Sequence, residues 1–212
     1  METLTKMKTN NKDKAKTSEK TFEKILKILI KQPFIEHTAT SLSLSLGMTR
    51  QGLWKTLNNL SKDKMISLKS IANTKKSAVK VDLDFRNLLT LKTLSLILTK
   101  EALNYEKWRF EFLELEKYSD FLILFGSILN NPKEANDIDI LAVLDKKNFK
   151  SLNEIKNKMQ KTQEKEIHLI DLTKEEFKDE LKKQNKAYID ALKKGVILFG
   201  QDNFIKFIEE LK

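Results

Sequence analysis

A chain of 212 residues, 40% of them hydrophobic, has room for one large domain or two small ones with ordinary packed cores. Its most apolar run, Leu88 to Leu98, is interrupted by Lys92 and is too short to cross a bilayer, so no membrane association is expected. The absence of cysteine excludes disulfides and zinc–thiolate centres. It fits the cytoplasmic setting expected of a Lys-rich N-terminus without an apolar signal segment.

The net charge of +10 is unevenly placed. Residues 1–85 carry 17 Lys/Arg against 8 Asp/Glu, whereas residues 86–212 carry 23 against 22. A basic half joined to a neutral half points to a polyanionic partner for the first, most simply nucleic acid. The competing reading is a Lys-rich composition with no partner attached to it.

Residues 1–18 have almost no apolar content and are expected to form a disordered basic arm. From there Phe22, Ile25, Leu26 and Leu29 repeat at three and four residues, which predicts a helix ending at Gln32-Pro33. A second helix is predicted from about Thr38 to Leu46, with Leu42 and Leu46 inward, stopping at Gly47. Thr49 can N-cap a third through about Lys62 that buries Leu53, Leu57 and Leu60 and exposes Arg50, Gln51, Trp54, Lys55 and Asn58. Met65 to Leu68, a polar tip at residues 73–77 and the alternation Val79 to Leu83 read as a β-hairpin.

Residues 86–118 contain no Gly or Pro and predict one long helix, or two in succession, connecting two domains. Leu88, Leu91, Leu94, Ile97 and Leu98 form one stripe, continued by Tyr105, Trp108, Phe112 and Leu115. That stripe serves either as core or as the seam of a homodimer formed through the connecting helix.

The chemistry-bearing segment follows. Phe121 to Phe125 is a short continuous apolar run, read as a buried strand, and Gly126-Ser127 comes directly after it. After a nine-residue spacer, Asp137-Ile138-Asp139 opens a second apolar strand. Side chains alternate along a strand, so the two carboxylates share a face and repel one another. A hard divalent cation resolves that repulsion, and Mg²⁺ takes carboxylate oxygens together with substrate phosphates. Gly126 permits close backbone approach to a phosphate, and Ser127 can donate to its oxygens. Each motif alone is weak; the strand, Gly-Ser, spacer and Asp-x-Asp in this order are strong together.

That combination resembles the DNA polymerase β-like nucleotidyltransferase superfamily, especially its minimal nucleotidyltransferase branch. The resemblance implies an α+β fold with a small mixed sheet over residues 119–212. It implies nucleotide binding at Gly126 and Ser127, and Mg²⁺ or Mn²⁺ held by the catalytic pair Asp137 and Asp139, with NTP as substrate. The sequence departs from the family pattern in two places. The loop within the spacer reads NNPKEAN, where relatives often carry Gly and Arg, and Asn136 precedes Asp137 where they often carry Ser. On the later strand Glu166 to Leu172, His168 stands where a third carboxylate is expected, which makes it a candidate metal ligand; Asp171 faces the other way.

Residues 19–85 resemble a winged helix-turn-helix domain, and the order of the two domains resembles archaeal-type proteins in which a winged helix precedes such a transferase. This implies contacts to nucleic acid, DNA ahead of RNA, from Arg50, Gln51, Lys55 and Asn58, and from Lys75 and Lys76 at the wing. Protein docking by the winged helix is the competing role. In the C-terminal part, Thr173 with Glu176 reads as a capping box and Gly195 as a helix C-cap. The expected function is transfer of NMP from an NTP to a hydroxyl on nucleic acid or protein. The alternative is a DNA-binding transcriptional regulator, or a toxin–antitoxin component, with a nucleotide-binding but inactive transferase domain.

Overall fold

The computed structural model describes residues 21–71 and 78–212. The expected basic arm at residues 1–18 and the hairpin tip with Lys75 and Lys76 lie outside these residues. The chain divides into two compact units, Met1–Leu94 and Ser95–Lys212.

In the first unit, residues 21–31 form helix α1, followed by α2 (Ala39–Ser45), α3 (Arg50–Lys62) and an antiparallel pair of strands, β1 (Ile66–Ser70) and β2 (Val79–Leu83). The local signals act as the sequence predicts. Thr38 and Ser41 form a capping box at α2, and the Thr49 hydroxyl accepts from the Gly52 N–H at the start of α3. Leu42, Leu53, Leu57 and Leu60 are buried with Ile25, Leu26, Leu29 and Ile30. The stretch before α2 also joins the hairpin, because the Val81 N–H donates to the His37 carbonyl at 2.8 Å and Thr38 bridges Lys80.

Residues 86–118 depart from the single or double helix expected. They form α4 (Leu88–Leu103), α5 (Glu106–Glu111) and α6 (Leu113–Glu116), broken at Asn104-Tyr105 and at Phe112. Asn104 and Tyr105 donate back to Glu101 and Ala102, three residues earlier, so the last turn of α4 tightens and stops. The breaks turn Trp108, Phe112 and Leu115 into the core of the second unit, which places this part of the stripe as core. The large apolar side chains left exposed are Leu88, Leu89, Leu96, Leu103, Phe110 and Leu113, so Leu88, the first residue of the expected stripe, is not in a core. Tertiary packing outweighs a locally continuous helical pattern here.

The second unit is built on a four-stranded mixed sheet, in the order β5–β4–β3–β6, from β3 (Phe121–Phe125), β4 (Asp137–Val143), β5 (Glu166–Leu172) and β6 (Val196–Phe199). β3 pairs antiparallel with β4 and β6, and β4 pairs parallel with β5 across helix α7 (Phe149–Gln160). Alternation gives the sheet two faces. Leu122, Leu124, Ile138, Ile140, Ala142 and Ile167 pack with Phe112, Leu115 and Leu152. On the other face Phe121 meets Phe177 of α8 (Lys174–Lys182) and Phe204 and Phe207 of α10 (Gln201–Glu210), with ring centroids 5.4–6.3 Å apart. The expected capping box at α8 is present: the Thr173 N–H donates to Glu176 at 2.8 Å and the Glu176 N–H to the Thr173 hydroxyl at 3.1 Å. Gly195 closes α9 (Lys186–Lys194) in extended backbone, and a Cβ there would lie 2.3 Å from the Ala191 carbonyl oxygen.

Candidate metal and nucleotide site

β4 begins on the face that Phe121 and Leu141 share, and there its first residues expose carboxylates in place of apolar groups. Asp137 and Asp139 lie on this face because Ile138 and Ile140, between and after them, are fully buried in the opposite core. The parallel register sets Glu166 beside Asp137 and His168 beside Asp139, on the same side of the sheet. His168 Nδ1 lies 3.4 Å from Asp137 Oδ2 and 3.5 Å from Asp139 Oδ1, and its Nε2 lies 3.5 Å from Glu166. The three side chains offer ligand atoms within 4.8 Å of one another.

Across the β3–β4 pair, Asp139 stands opposite Phe125, the residue before Gly126. Gly126 has φ +80° and ψ −161°, a combination that essentially only glycine adopts. A Cβ built on it would fall 2.0 Å from Asp139 Oδ2. Glycine is therefore required twice, once by its dihedrals and once because the Asp139 carboxylate occupies the space of a side chain. Ser127 follows at the head of a single 3₁₀ turn, Ser127–Leu129, with Ile128 buried and Ser127 itself exposed. The turn is held by Asn130 and Asn131 N–H groups donating to the Ser127 carbonyl at 3.0 and 2.9 Å.

The electrostatics of the pair follow from this crowding. Partial burial, reinforced by the neighbouring Asp137 carboxylate, pushes the Asp139 carboxyl above its ordinary range, and His168 pulls it back. Two carboxylates and one imidazole bring an excess of negative charge and three ligand atoms to one place. The donor set thus fits a divalent cation. The segment before β4 is tied down independently, since Lys165 Nζ donates to the Ala135 carbonyl.

Residues 110–203 match the family model described as Polymerase beta, Nucleotidyltransferase. The match supports the nucleotidyltransferase superfamily for the second unit. No curated protein and no solved structure gives a significant match to the chain. The matched segment contains every residue of the cluster just described, and it begins within α5.

Within this domain the remaining expectations sort cleanly. His168 does sit beside the Asp pair, and Asp171 is on the opposite face, where Asn153 of α7 donates to it at 2.8 Å. Glu166, which the sequence pattern did not single out, approaches His168 from the outer side. Its signal was visible only once the register of β5 against β4 was known. In the first unit, Arg50, Gln51, Lys55 and Asn58 are all exposed on α3, and Trp54 between them is half-buried. No described helix is long and apolar enough to cross a membrane.

Proposed function

We propose that the protein is a divalent-metal-dependent nucleotidyltransferase that moves NMP from an NTP to a hydroxyl on nucleic acid or protein. The observation that carries this reading is the convergence of Asp137, Asp139 and His168 against Gly126-Ser127, inside the segment that matches the nucleotidyltransferase family model. Asp137 and Asp139, with His168 beside them, would hold Mg²⁺ or Mn²⁺, which lowers the pKa of an attacking hydroxyl and neutralises charge on the leaving group. In the reaction the acceptor oxygen bonds to the α-phosphorus as the bond to the α–β bridging oxygen breaks. Pyrophosphate leaves, and the hydroxyl proton passes to solvent. The exposed Ser127 hydroxyl donates to a phosphate oxygen and so positions the phosphates. Ile138 and Ile140, locked in the core, present both carboxylates without rearrangement. Incubating the protein with each α-labelled NTP, Mn²⁺ or Mg²⁺, and DNA, RNA and protein acceptors tests the reading; label that reaches no acceptor overturns transferase activity.

A specific observation favours the second reading, a nucleotide-binding domain without turnover in a DNA-binding regulator or a toxin–antitoxin component. His168 replaces the third carboxylate that the resemblance leads one to expect. Metal-dependent NTP binding without transfer would identify it. The same residue gives a quantitative expectation. Imidazole is a poor ligand for Mg²⁺ and an acceptable one for Mn²⁺. Wild-type protein should therefore bind nucleotide more tightly with Mn²⁺, and His168→Asp should raise the Mg²⁺-supported affinity by about tenfold, a change of ~1.4 kcal/mol. Titrations with both metals on wild type, His168→Asp and His168→Ala check this. Identical responses to the two metals in all three proteins would remove His168 from the ligand set.

For the first unit we propose a winged helix-turn-helix that contacts nucleic acid, DNA ahead of RNA, through Arg50, Gln51, Lys55 and Asn58. Support comes from the basic surplus of residues 1–85 and from the exposure of all four side chains on α3, the third helix before a β-hairpin. The proposal extends to Lys75 and Lys76, which lie outside the described residues. Each phosphate contact contributes about 0.9 to the slope of log affinity against log salt. Replacing Arg50 and Lys55 together by Ala in the full chain should flatten that slope by up to about two units, measured by fluorescence anisotropy on duplex DNA. An unchanged slope would return α3 to protein docking.

A further inference from the structure

The metal cluster has an outer neighbour that no motif marks. β5 is an edge strand of the four-stranded sheet, and Glu166 and His168, two residues apart on it, point to the same side. The imidazole of His168 therefore lies between two sets of carboxylates. Its Nδ1 faces Asp137 and Asp139 at 3.4 and 3.5 Å, and its Nε2 faces Glu166 Oε2 at 3.5 Å. Glu166 does not belong to the group whose ligand atoms gather within 4.8 Å of one another, so it stands behind the histidine.

The backbone on both sides of Glu166 is fixed. Gln160, at the end of α7, donates to the Lys165 carbonyl at 3.0 Å and accepts from the Ile167 N–H at 2.7 Å. Lys165 Nζ donates in turn to the carbonyl of Ala135, two residues before Asp137. Ile167 is buried in the core. The Glu166 side chain is 73% exposed, which leaves its own torsions room to adjust. A separation of 3.5 Å is long for a hydrogen bond, and a side-chain movement of about half an ångström brings it to ordinary N–H···O length.

The chemistry of imidazole makes this arrangement directional. A neutral ring carries one N–H and one lone pair, and the group that accepts from the first decides which nitrogen offers the second. A carboxylate that accepts from the far N–H of a metal-bound histidine fixes the ring and its tautomer, and raises the basicity of the ligating nitrogen. We infer that Glu166 is the positioning residue of His168: it accepts the Nε2–H and so turns the Nδ1 lone pair toward the Asp pair and a divalent cation held there. The inference rests on the metal-dependent transferase reading, with His168 as a ligand, and adds the residue that orients the imidazole for that task.

The test titrates Mn²⁺ alone into the full chain, followed by the electron paramagnetic resonance of unbound Mn²⁺, with Mg²⁺ read by competition. Glu166→Ala should weaken Mn²⁺ binding about tenfold, the lower end of the effect of losing such a partner, because this one is exposed. Glu166→Gln keeps an oxygen that can accept the Nε2–H; it should lose about threefold, since a neutral hydrogen bond is roughly half as strong as a charge-assisted one. Mg²⁺, a poor match for imidazole, should bind all three proteins alike. In a His168→Ala background, Glu166→Ala should change nothing further. Equal losses in Glu166→Ala and Glu166→Gln, or equal losses for the two metals, would mean that the carboxylate acts only as a nearby negative charge, and would overturn the inference. Wild-type affinity in Glu166→Ala, where His168→Ala weakens Mn²⁺ binding, would overturn it and leave His168 in the ligand set. Wild-type affinity in His168→Ala would remove both residues and leave the Asp pair standing. Wild-type protein that binds no Mn²⁺ would overturn the inference and the metal-dependent reading together.

Discussion

Asp139→Asn is expected to reduce metal-dependent nucleotide transfer on the order of 10³-fold, equivalent to ~4 kcal/mol of lost transition-state stabilisation. The substitution preserves shape and hydrogen-bonding capacity and removes the charge. It strikes the carboxylate at the centre of the cluster, which touches Gly126, faces His168 and shares its face with Asp137. The fold should survive, because the flanking Ile138 and Ile140 hold β4 in the core without help from the carboxylates. Melting temperature in the metal-free protein should stay the same or rise, since burial and Asp137 both work against the charged form of Asp139. Asp137→Asn should behave alike with a smaller effect on stability. Measuring transfer or metal-dependent nucleotide affinity beside melting curves decides the matter. Unchanged affinity in both variants would remove the metal assignment, and a collapsed fold would mean the carboxylates had a structural task that the geometry does not show.

Gly126→Ala should damage both stability and the site. Its backbone conformation costs a non-glycine residue about 1–3 kcal/mol, a fall in Tm of roughly 5–15 °C for a unit of this size. The added methyl would also displace the Asp139 carboxylate, whose Oδ2 lies 2.0 Å from the Cβ position, so metal-dependent nucleotide affinity should be lost along with stability. The two causes separate in a double-mutant cycle. Asp139→Ala leaves the backbone strain of Gly126→Ala in place and removes the collision, so the stability cost of Gly126→Ala should be smaller in that background. An identical cost in both backgrounds would show that only the dihedrals demand glycine.

Much of this protein is written in local sequence. Thr38, Thr49 and Thr173 begin their helices because a hydroxyl at the N-cap satisfies a free backbone N–H wherever it occurs. Asp137 and Asp139 share a face because alternation is a property of any strand, and the apolar runs on either side of the spacer commit both segments to the sheet. The placement of the candidate metal ligands was legible for that reason. What only the tertiary structure decided involves partners distant in the chain. Residues 86–118 carry no helix breaker, yet they bend twice, because burying Trp108, Phe112 and Leu115 against the sheet outweighs helical continuity. His168 stands beside Asp139 through a parallel pairing whose register is set after a long crossover, and a shift of one residue would have turned it to the opposite face. The task of Gly126, to make room for a carboxylate 13 residues later, arises only when β3 and β4 pair. Local patterns fix which way a side chain faces along its own element; what it faces is settled by long-range packing.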